Sequence, residues 1–373
     1  MQKVLSLQRM PFYVTPSRSP NNPAPFPNCL PFALCIDDQR GGLVQIGSPE
    51  LSCLLTKGYE KGSLVGNALD DSALGKKYCD DFLEFLTASV SPAADLLEIG
   101  AGRGYLARRL IDKNYKVTAI EPGVANEPYW RRYSVRIVRE LFPTPAAPGP
   151  YGAIVAYGVL EHVKEILAFL KIIRRHLIFQ GVVVFAVPNC GPDIMAGDPG
   201  MLLHEHYQYF TEHSLRRTLE MADFQVDSIR PATYGGALYV RAHPADGVSR
   251  SPVASFPEFH TYGVKVERFK RQIEVALSNL AGEGKSLGIY CPGRCLPVLP
   301  VDASVRFFDD AEELRGLYFP PFDSAVENRS DFLAAPTDEL WIMSRTFGQQ
   351  LADELRHLVP NTTVLTSVDL LSG

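Results

Sequence analysis

The stretch "LLEIGAGRGYLARRL", Leu96–Leu110, decides how the chain is read. A buried strand ends at Glu98, Gly100, Gly102 and Gly104 follow, and a helix begins after them. Glycine at such a turn permits positive φ and lets a ligand come close to the backbone. The next strand ends in "VTAIEPG", so Glu121 falls seventeen residues after Gly104. An acid at that distance can accept both ribose hydroxyls of a nucleoside, whose purine lies across the switch point of a parallel sheet.

Outward from this turn, short β-rich runs alternate with helical ones. "DLLEIG", "KVTAIEP", "YGAIVAYG" and "GVVVFAVPN" read as strands, and "YLARRLIDKN" and "VKEILAFLKIIRRHL" as helices between them. Strands separated by helix-length segments predict a doubly wound, mainly parallel α/β sheet of Rossmann type. "QVDSIRPAT" and "GALYVRAHP" suit an antiparallel edge hairpin. Upstream, "DDSALGKKYCDDFLEFLTASV" reads as an amphipathic helix. Residues 1–75 are rich in Pro, Gly and Asn and predict a small, loop-rich module with one hairpin. "ADGVSRSPVASFPE" reads as a linker, followed by a helix over roughly 263–281 and a smaller α/β layer structure. The expected division is therefore 1–75, 76–245 and 246–373.

The glycine spacing is GxGxG with an acid two residues before it, not the GxGxxG of a dinucleotide turn, and no phosphate-cradling lysine follows. This segment resembles the E/DxGxGxG motif of class I S-adenosylmethionine-dependent methyltransferases. The resemblance implies that Gly100 and Gly102 border the methionine portion of S-adenosylmethionine, with Ala101 and Gly104 completing the turn. It implies further that Glu98 positions the amino-acid end and that Glu121, followed by Pro122, holds the ribose. "YGAIVAYGVLEHV" looks like the family's fourth strand and the segment after it, where Tyr157, Gly158 and Glu161 through to His162 line the cofactor pocket. For the adenine, "SVRIVRELF" offers only Glu140. A tight strand-to-helix turn in an unrelated α/β protein is the plain structural alternative.

A second stretch concentrates titratable groups: "LLHEHYQYFTEHSL", Leu202–Leu215, holds three histidines and two glutamates. On a strand His204 and His206 would face one way and could chelate, but the HExxH spacing of a helical zinc site is absent. Methyl transfer to carbon or oxygen instead needs a base close to the acceptor, and a neutral histidine suits that role. Thr211 is a good N-cap, which assigns His213 to a helix start.

The run "HEHYQYFTEHSLRRTLEMADFQVDSI" narrows the resemblance, being similar to a stretch of the sugar C-methyltransferase family. Those enzymes methylate a carbon beside the keto group of nucleotide-bound deoxysugars. They combine an N-terminal zinc module, the cofactor domain and a C-terminal Rossmann-like domain. Position by position the resemblance implies Glu205 and His206 as the Glu-His pair with His206 as base. It adds His162 after the fourth strand, and Tyr59 of "KGYEKGSLVGN" as a tyrosine that closes over the site. The chain departs from the family in three places. Asp38 stands where a zinc cysteine belongs beside Cys35, and Cys29 and Cys53 do not restore the spacing. Leu203 and Lys61 replace tyrosines. No metal is therefore expected, either in the N-terminal module or in the active site.

Bulk properties bound the partners. A formal charge of -5 on 373 residues gives no electrostatic reason to expect nucleic acid, so "EPYWRRY" reads as a helix surface or pocket edge. No apolar run approaches the ~20 residues of a membrane span. Seven scattered cysteines suit a reducing, cytoplasmic setting, and "CPGRC" reads as a turn in which Arg294 is a candidate anion ligand. The partner implied is a small-molecule acceptor, with a nucleotide-linked keto sugar as the family's example. The sequence leaves oligomeric state open. The competing functions are carbon methylation, oxygen or nitrogen methylation of a secondary metabolite, and cofactor binding without catalysis.

Overall fold

The computed structural model describes residues 2–12, 16–61, 69–253, 257–345 and 347–372. Parts of two stretches noted above, "KGYEKGSLVGN" and the 245–258 linker, fall outside them. The chain divides into two compact units, each discontinuous in sequence. Unit 1 comprises Met1–Gln2, Cys35–Gly191 and Glu205–Phe256, and unit 2 comprises Lys3–Leu34, Pro192–His204 and Pro257–Gly373. These boundaries differ from the three contiguous parts expected.

Unit 1 is built on a seven-stranded sheet. In chain order its strands are β1 (Asp95–Ile99), β2 (Lys116–Ile120), β3 (Ile137–Val138), β4 (Tyr151–Tyr157), β5 (Leu177–Pro188), β6 (Phe224–Pro231) and β7 (Ala237–Pro244). Their order across the sheet is β6-β7-β5-β4-β1-β2-β3. The five strands β1 to β5 run parallel, and β7 and β6 add the expected antiparallel hairpin at the edge.

Alternation along the strands covers both faces. Leu97, Ile99, Ile154, Val183 and Phe185 point into one buried cluster, whereas Leu96, Val155, Val182 and Val184 enter another. Side chains two residues apart share a face, so helices on both sides leave each strand almost wholly apolar. Truncating a fully buried member such as Leu97 to alanine costs about 2–5 kcal/mol.

The helices follow their sequence cues. Helix α1 (Pro49–Lys61) precedes α2 (Ala73–Thr87), α3 (Tyr105–Asp112), α4 (Ile166–Arg175) and α5 (Glu212–Met221). Ser72 caps α2 by accepting from Gly75 N at 3.0 Å. Thr211 caps α5 and forms a reciprocal capping box with Ser214, which accounts for His213 as a helix-start residue.

Helix α1 is an addition to the loop-and-hairpin expectation for residues 1–75, whose two strand runs are present as Cys29–Asp37 and Gly42–Gln45. Ser48 Oγ accepts from Leu51 N at 3.0 Å, with Pro49 at the first helical position. Leu51, Leu54 and Leu55 are buried at helical spacing.

In unit 2, helix α6 (Pro257–Gly282) starts six residues before the expected Gly263. A five-stranded sheet follows, made of β8 (Leu287–Tyr290), β9 (Arg306–Phe308), β10 (Val326–Glu327), β11 (Glu339–Ile342) and β12 (Thr363–Thr366). Its order is β10-β9-β8-β11-β12 and all its pairs are parallel. A helix packed on it, α7 (Gly348–Leu358), contributes Leu351, Ala352 and Leu355 to the core with Tyr290, Phe308 and Leu340.

The N-terminal strand Gln2–Pro11 groups with this unit for a steric reason. A Cβ on Gly263 would lie 1.7 Å from the Val4 carbonyl oxygen, so glycine allows the backbones to touch. Tyr262 donates to the Asp198 carbonyl at 3.0 Å, tying in the 192–204 segment.

Candidate active site

The glycine turn lies at the carboxyl end of β1, where ligands of open parallel sheets bind. Gly100, Gly102 and Gly104 all have positive φ, at 71°, 51° and 77°. At Gly100 the requirement is also steric, because a Cβ would come within 2.5 Å of Val159 Cγ2. Gly100 N and Ala101 N both donate to Ile120 O, at 2.9 and 3.0 Å, fastening the turn to β2. Ala101 packs with Ala107, Ala119 and Val135.

Glu121 is locked into the same turn. Its Oε2 accepts from Gly102 N at 2.9 Å and its Oε1 from Gly123 N at 2.7 Å. Burial raises its pKa, and the hydrogen bonds from Gly123, Gly102 and Asn126 pull the other way. Each carboxylate oxygen keeps a second lone pair for a ligand hydroxyl. Pro122 is half-buried beside it.

Glu98 is 3 % exposed, and its Oε2 has no hydrogen-bond partner among the described residues. Burial, then the nearby Glu121 charge, pushes its carboxyl up to about 8. An orphaned buried acceptor beside a turn of backbone N–H groups fits a ligand that brings its own cationic donor, as the amino-acid end of S-adenosylmethionine would.

The segment after β4 joins this turn to the histidines. Val159 abuts Gly100, and Glu161 Oε1 lies where a Cβ on Gly158 would be 3.5 Å away. Tyr157 stacks edge-on against Phe82 of α2 at 5.2 Å. Glu161 O accepts from Tyr207 N at 2.7 Å, which draws the 205–209 loop alongside. His162 and His206 then meet in a T-shaped contact with centroids 4.9 Å apart and planes at 82°. Tyr59, near the end of α1, places its hydroxyl 3.0 Å from His162 Nδ1. Glu205 is 2 % exposed in the turn before His206.

Burial governs the charge states. It lowers the His162 imidazole to about 4, against a hydrogen bond with the Glu205 backbone. It also holds His206 well below its usual value, helped by His162 beside it. Both rings are neutral at neutral pH. The Tyr59 phenol is pushed far above its ordinary range by burial, then by Glu205, Tyr207 and Glu161. Burial raises Glu161 to about 8.

The expected pairing of His204 with His206 does not occur. His204 sits in a turn and belongs to unit 2, between Phe12 and Phe32 at 5.5 Å from each, while His206 belongs to unit 1. Arg294 is engaged by Asp193 at 3.1 Å and Asp198 at 2.8 Å, so it is an ion-pair residue and not an open anion ligand. Glu140 accepts a hydrogen bond from Thr144.

Five residues have roles that escaped the sequence reading. Gln45 Nε2 donates to His206 O at 2.8 Å. Gln208 Nε2 donates to Val163 O at 2.8 Å and to Lys164 O at 3.2 Å. Tyr207 supplies the bond to Glu161, and Ser52 Oγ meets its hydroxyl at 3.2 Å. Trp130, in "EPYWRRY", is 5 % exposed and its Nε1 donates to Gly102 O at 2.7 Å. It braces the glycine turn through that bond and is a buried residue, not part of a helix surface.

Residues 72–229 match the family model described as a methyltransferase domain. The chain carries a methyltransferase domain. The activity that goes with that domain is methyl transfer. The matched residues of the methyltransferase domain run from the cap of α2 into β6 and include both histidines; Tyr59 lies outside them.

Among solved structures the chain is similar to the glycopeptide N-methyltransferase MtfA complexed with S-adenosylmethionine. The identity is 16%, over 45% of this chain and 94% of that one, with a TM-score of 0.38. It is also similar to the Burkholderia thailandensis 1,6-didemethyltoxoflavin-N1-methyltransferase. There the identity is 17%, over 58% and 96%, with a TM-score of 0.41. No curated protein matches the chain. Among the described residues no helix is long and apolar enough to cross a membrane, and all seven cysteines are free thiols.

Proposed function

We propose that this methyltransferase acts on carbon, beside the keto group of a nucleotide-linked sugar or a similar natural-product intermediate, with His206 as general base. One observation carries the reading: two neutral imidazoles, half-buried His162 and buried His206, touch each other beside the segment that abuts the glycine turn. S-adenosylmethionine, when bound, supplies an electrophilic methyl group on a sulfonium.

The chain's own residues do the rest. Glu98 takes the amino-acid end, Gly100, Ala101, Gly102 and Gly104 shape the turn, and Glu121 with Pro122 behind it takes the ribose. Tyr157, Gly158 and Glu161 line the pocket. His206 removes the proton α to the acceptor's carbonyl, so a C–H bond breaks and its electron pair forms the bond to the methyl carbon. His162, its ring proton set on Nε2 by the Tyr59 hydroxyl at Nδ1, supplies the hydrogen-bond donor for the enolate oxygen. A base this desolvated is weak, and Glu205, its neighbour in the chain, is the acid that offsets the positive charge it acquires.

The three-part organisation at 1–75, 76–245 and 246–373 and a cytoplasmic location, in keeping with free thiols, belong to the same proposal. Offering a keto-sugar nucleotide with carbon-13 methyl-labelled S-adenosylmethionine tests it by NMR of the product. A methyl resonance on carbon is expected. A methyl on oxygen or nitrogen would turn the assignment to a heteroatom methyltransferase. Cofactor binding without transfer to any acceptor offered would turn it to a binding protein.

A further inference from the structure

Glu161 is unusual among the acids of unit 1 in what it faces. Its Oε2 is buried with no hydrogen-bond partner among the described residues. Its Oε1 lies 3.9 Å from His162 Nε2. One ligand atom each from Glu161, His162 and His206 lie within 4.8 Å of one another. Among the described residues this is the one group of three or more such side chains so gathered.

We propose that Glu161, His162 and His206 form a binding site for a divalent transition-metal ion of the Zn²⁺ or Co²⁺ class. Two imidazoles and one carboxylate suit these borderline ions better than Mg²⁺ or Ca²⁺, which prefer all-oxygen shells. Metal–ligand bonds of about 2.1 Å near tetrahedral angles set ligand atoms roughly 3.4 Å apart. The three donors, within 4.8 Å of one another, must therefore draw in by up to roughly 1.4 Å.

The surroundings already resemble a supporting shell. Tyr59 Oη sits 3.0 Å from His162 Nδ1, so Nε2 is the ligating atom. When the ion takes Nε2, the ring proton moves to Nδ1 and Tyr59 Oη accepts from it; such a partner orients a ligating histidine. Gln45 and Tyr207 hold the backbone on either side, at His206 O and Glu161 O. A fourth position remains for water or an acceptor oxygen.

The consequence for turnover rests on the proposed role of His206. An ion at this site occupies the nitrogen lone pair that would take the substrate proton, so metal binding inhibits methyl transfer. The site itself stands apart from that role.

The test uses tag-free full-length protein, freed of metal with a chelator and titrated with Co²⁺. Visible d–d absorption bands saturating at one ion per chain are expected, and Zn²⁺ should displace them. Glu161→Gln and His206→Asn should each weaken Co²⁺ binding at least tenfold, with circular dichroism and melting showing which variants remain folded. No bands in the native protein, or unchanged binding in both folded variants, would overturn the site. The inhibitory role is read separately: substoichiometric Zn²⁺ should lower turnover in proportion, and chelator should restore it. If His206→Asn keeps its turnover in metal-free buffer while the native protein still shows the Co²⁺ bands, the base assignment fails and the metal site survives.

Discussion

The hydroxyl of Tyr59 lies 3.0 Å from Nδ1 of His162, and the two rings meet edge to face at 5.8 Å. Helix α1 thus reaches across more than a hundred positions of sequence to orient an imidazole that follows β4. Because burial keeps the phenol protonated, its O–H donates to Nδ1 and sets the ring proton on Nε2. A Tyr59→Phe variant should keep cofactor affinity and lose about 1 kcal/mol of stability. Its turnover should fall on the order of a hundredfold, the scale of a lost oxyanion donor. Calorimetry, thermal melting and initial rates on one preparation check all three.

Trp130 predicts a different pattern. A Trp130→Phe change removes the N–H that Gly102 O accepts and leaves a buried carbonyl unpaired. That costs about 1–3 kcal/mol. The loss should appear as weaker S-adenosylmethionine binding and a lower melting temperature, with kcat at saturating cofactor little changed.

Glu98 sets a pH dependence. Its folded pKa, about 8, lies above the ordinary 4.5. The folded state therefore binds the extra proton. The resulting contribution to stability is full below 4.5 and is lost as pH rises through 8. Without cofactor, Glu98→Gln should raise the melting temperature more at pH 8.5 than at pH 5.5. The difference should correspond to a few kcal/mol. An equal shift at both pH values would show that Glu98 does not hold its proton.

His206 gives the opposite sign. Burial and His162 hold its pKa well below 6.5, so the neutral, proton-accepting form persists as pH falls. The acid limb of kcat/KM for the free enzyme should lie well below pH 6.5. A limb centred at 6.5 would mean that a solvent-exposed histidine, and not His206, is the base.

Much of unit 1 was legible because its signals are local. The turn from Glu98 to Gly104, the strand-helix alternation and the Thr211 cap each declare themselves within a few residues. Helix α1 was masked by the Pro- and Gly-rich setting of residues 1–75. Its cue, Ser48-Pro49 followed by leucines at 51, 54 and 55, is as local as the others. The roles of His204 and His206 were not separable from sequence. Their difference comes from long-range packing, Phe12 and Phe32 around one ring and His162 against the other. Gln45 and Gln208 carry no motif, and each donates to backbone carbonyls brought to it by the fold. Arg294 looked open because its partners, Asp193 and Asp198, lie about a hundred positions away.

The most direct test of the central claim needs no acceptor: titration calorimetry of the full-length protein with S-adenosylmethionine. The account predicts one site per chain in the native protein. It predicts at least tenfold weaker binding in Gly100→Val, whose side chain would collide with Val159, and near-native binding in His206→Asn. Absence of binding by the native, folded protein, or full binding by Gly100→Val, would contradict it.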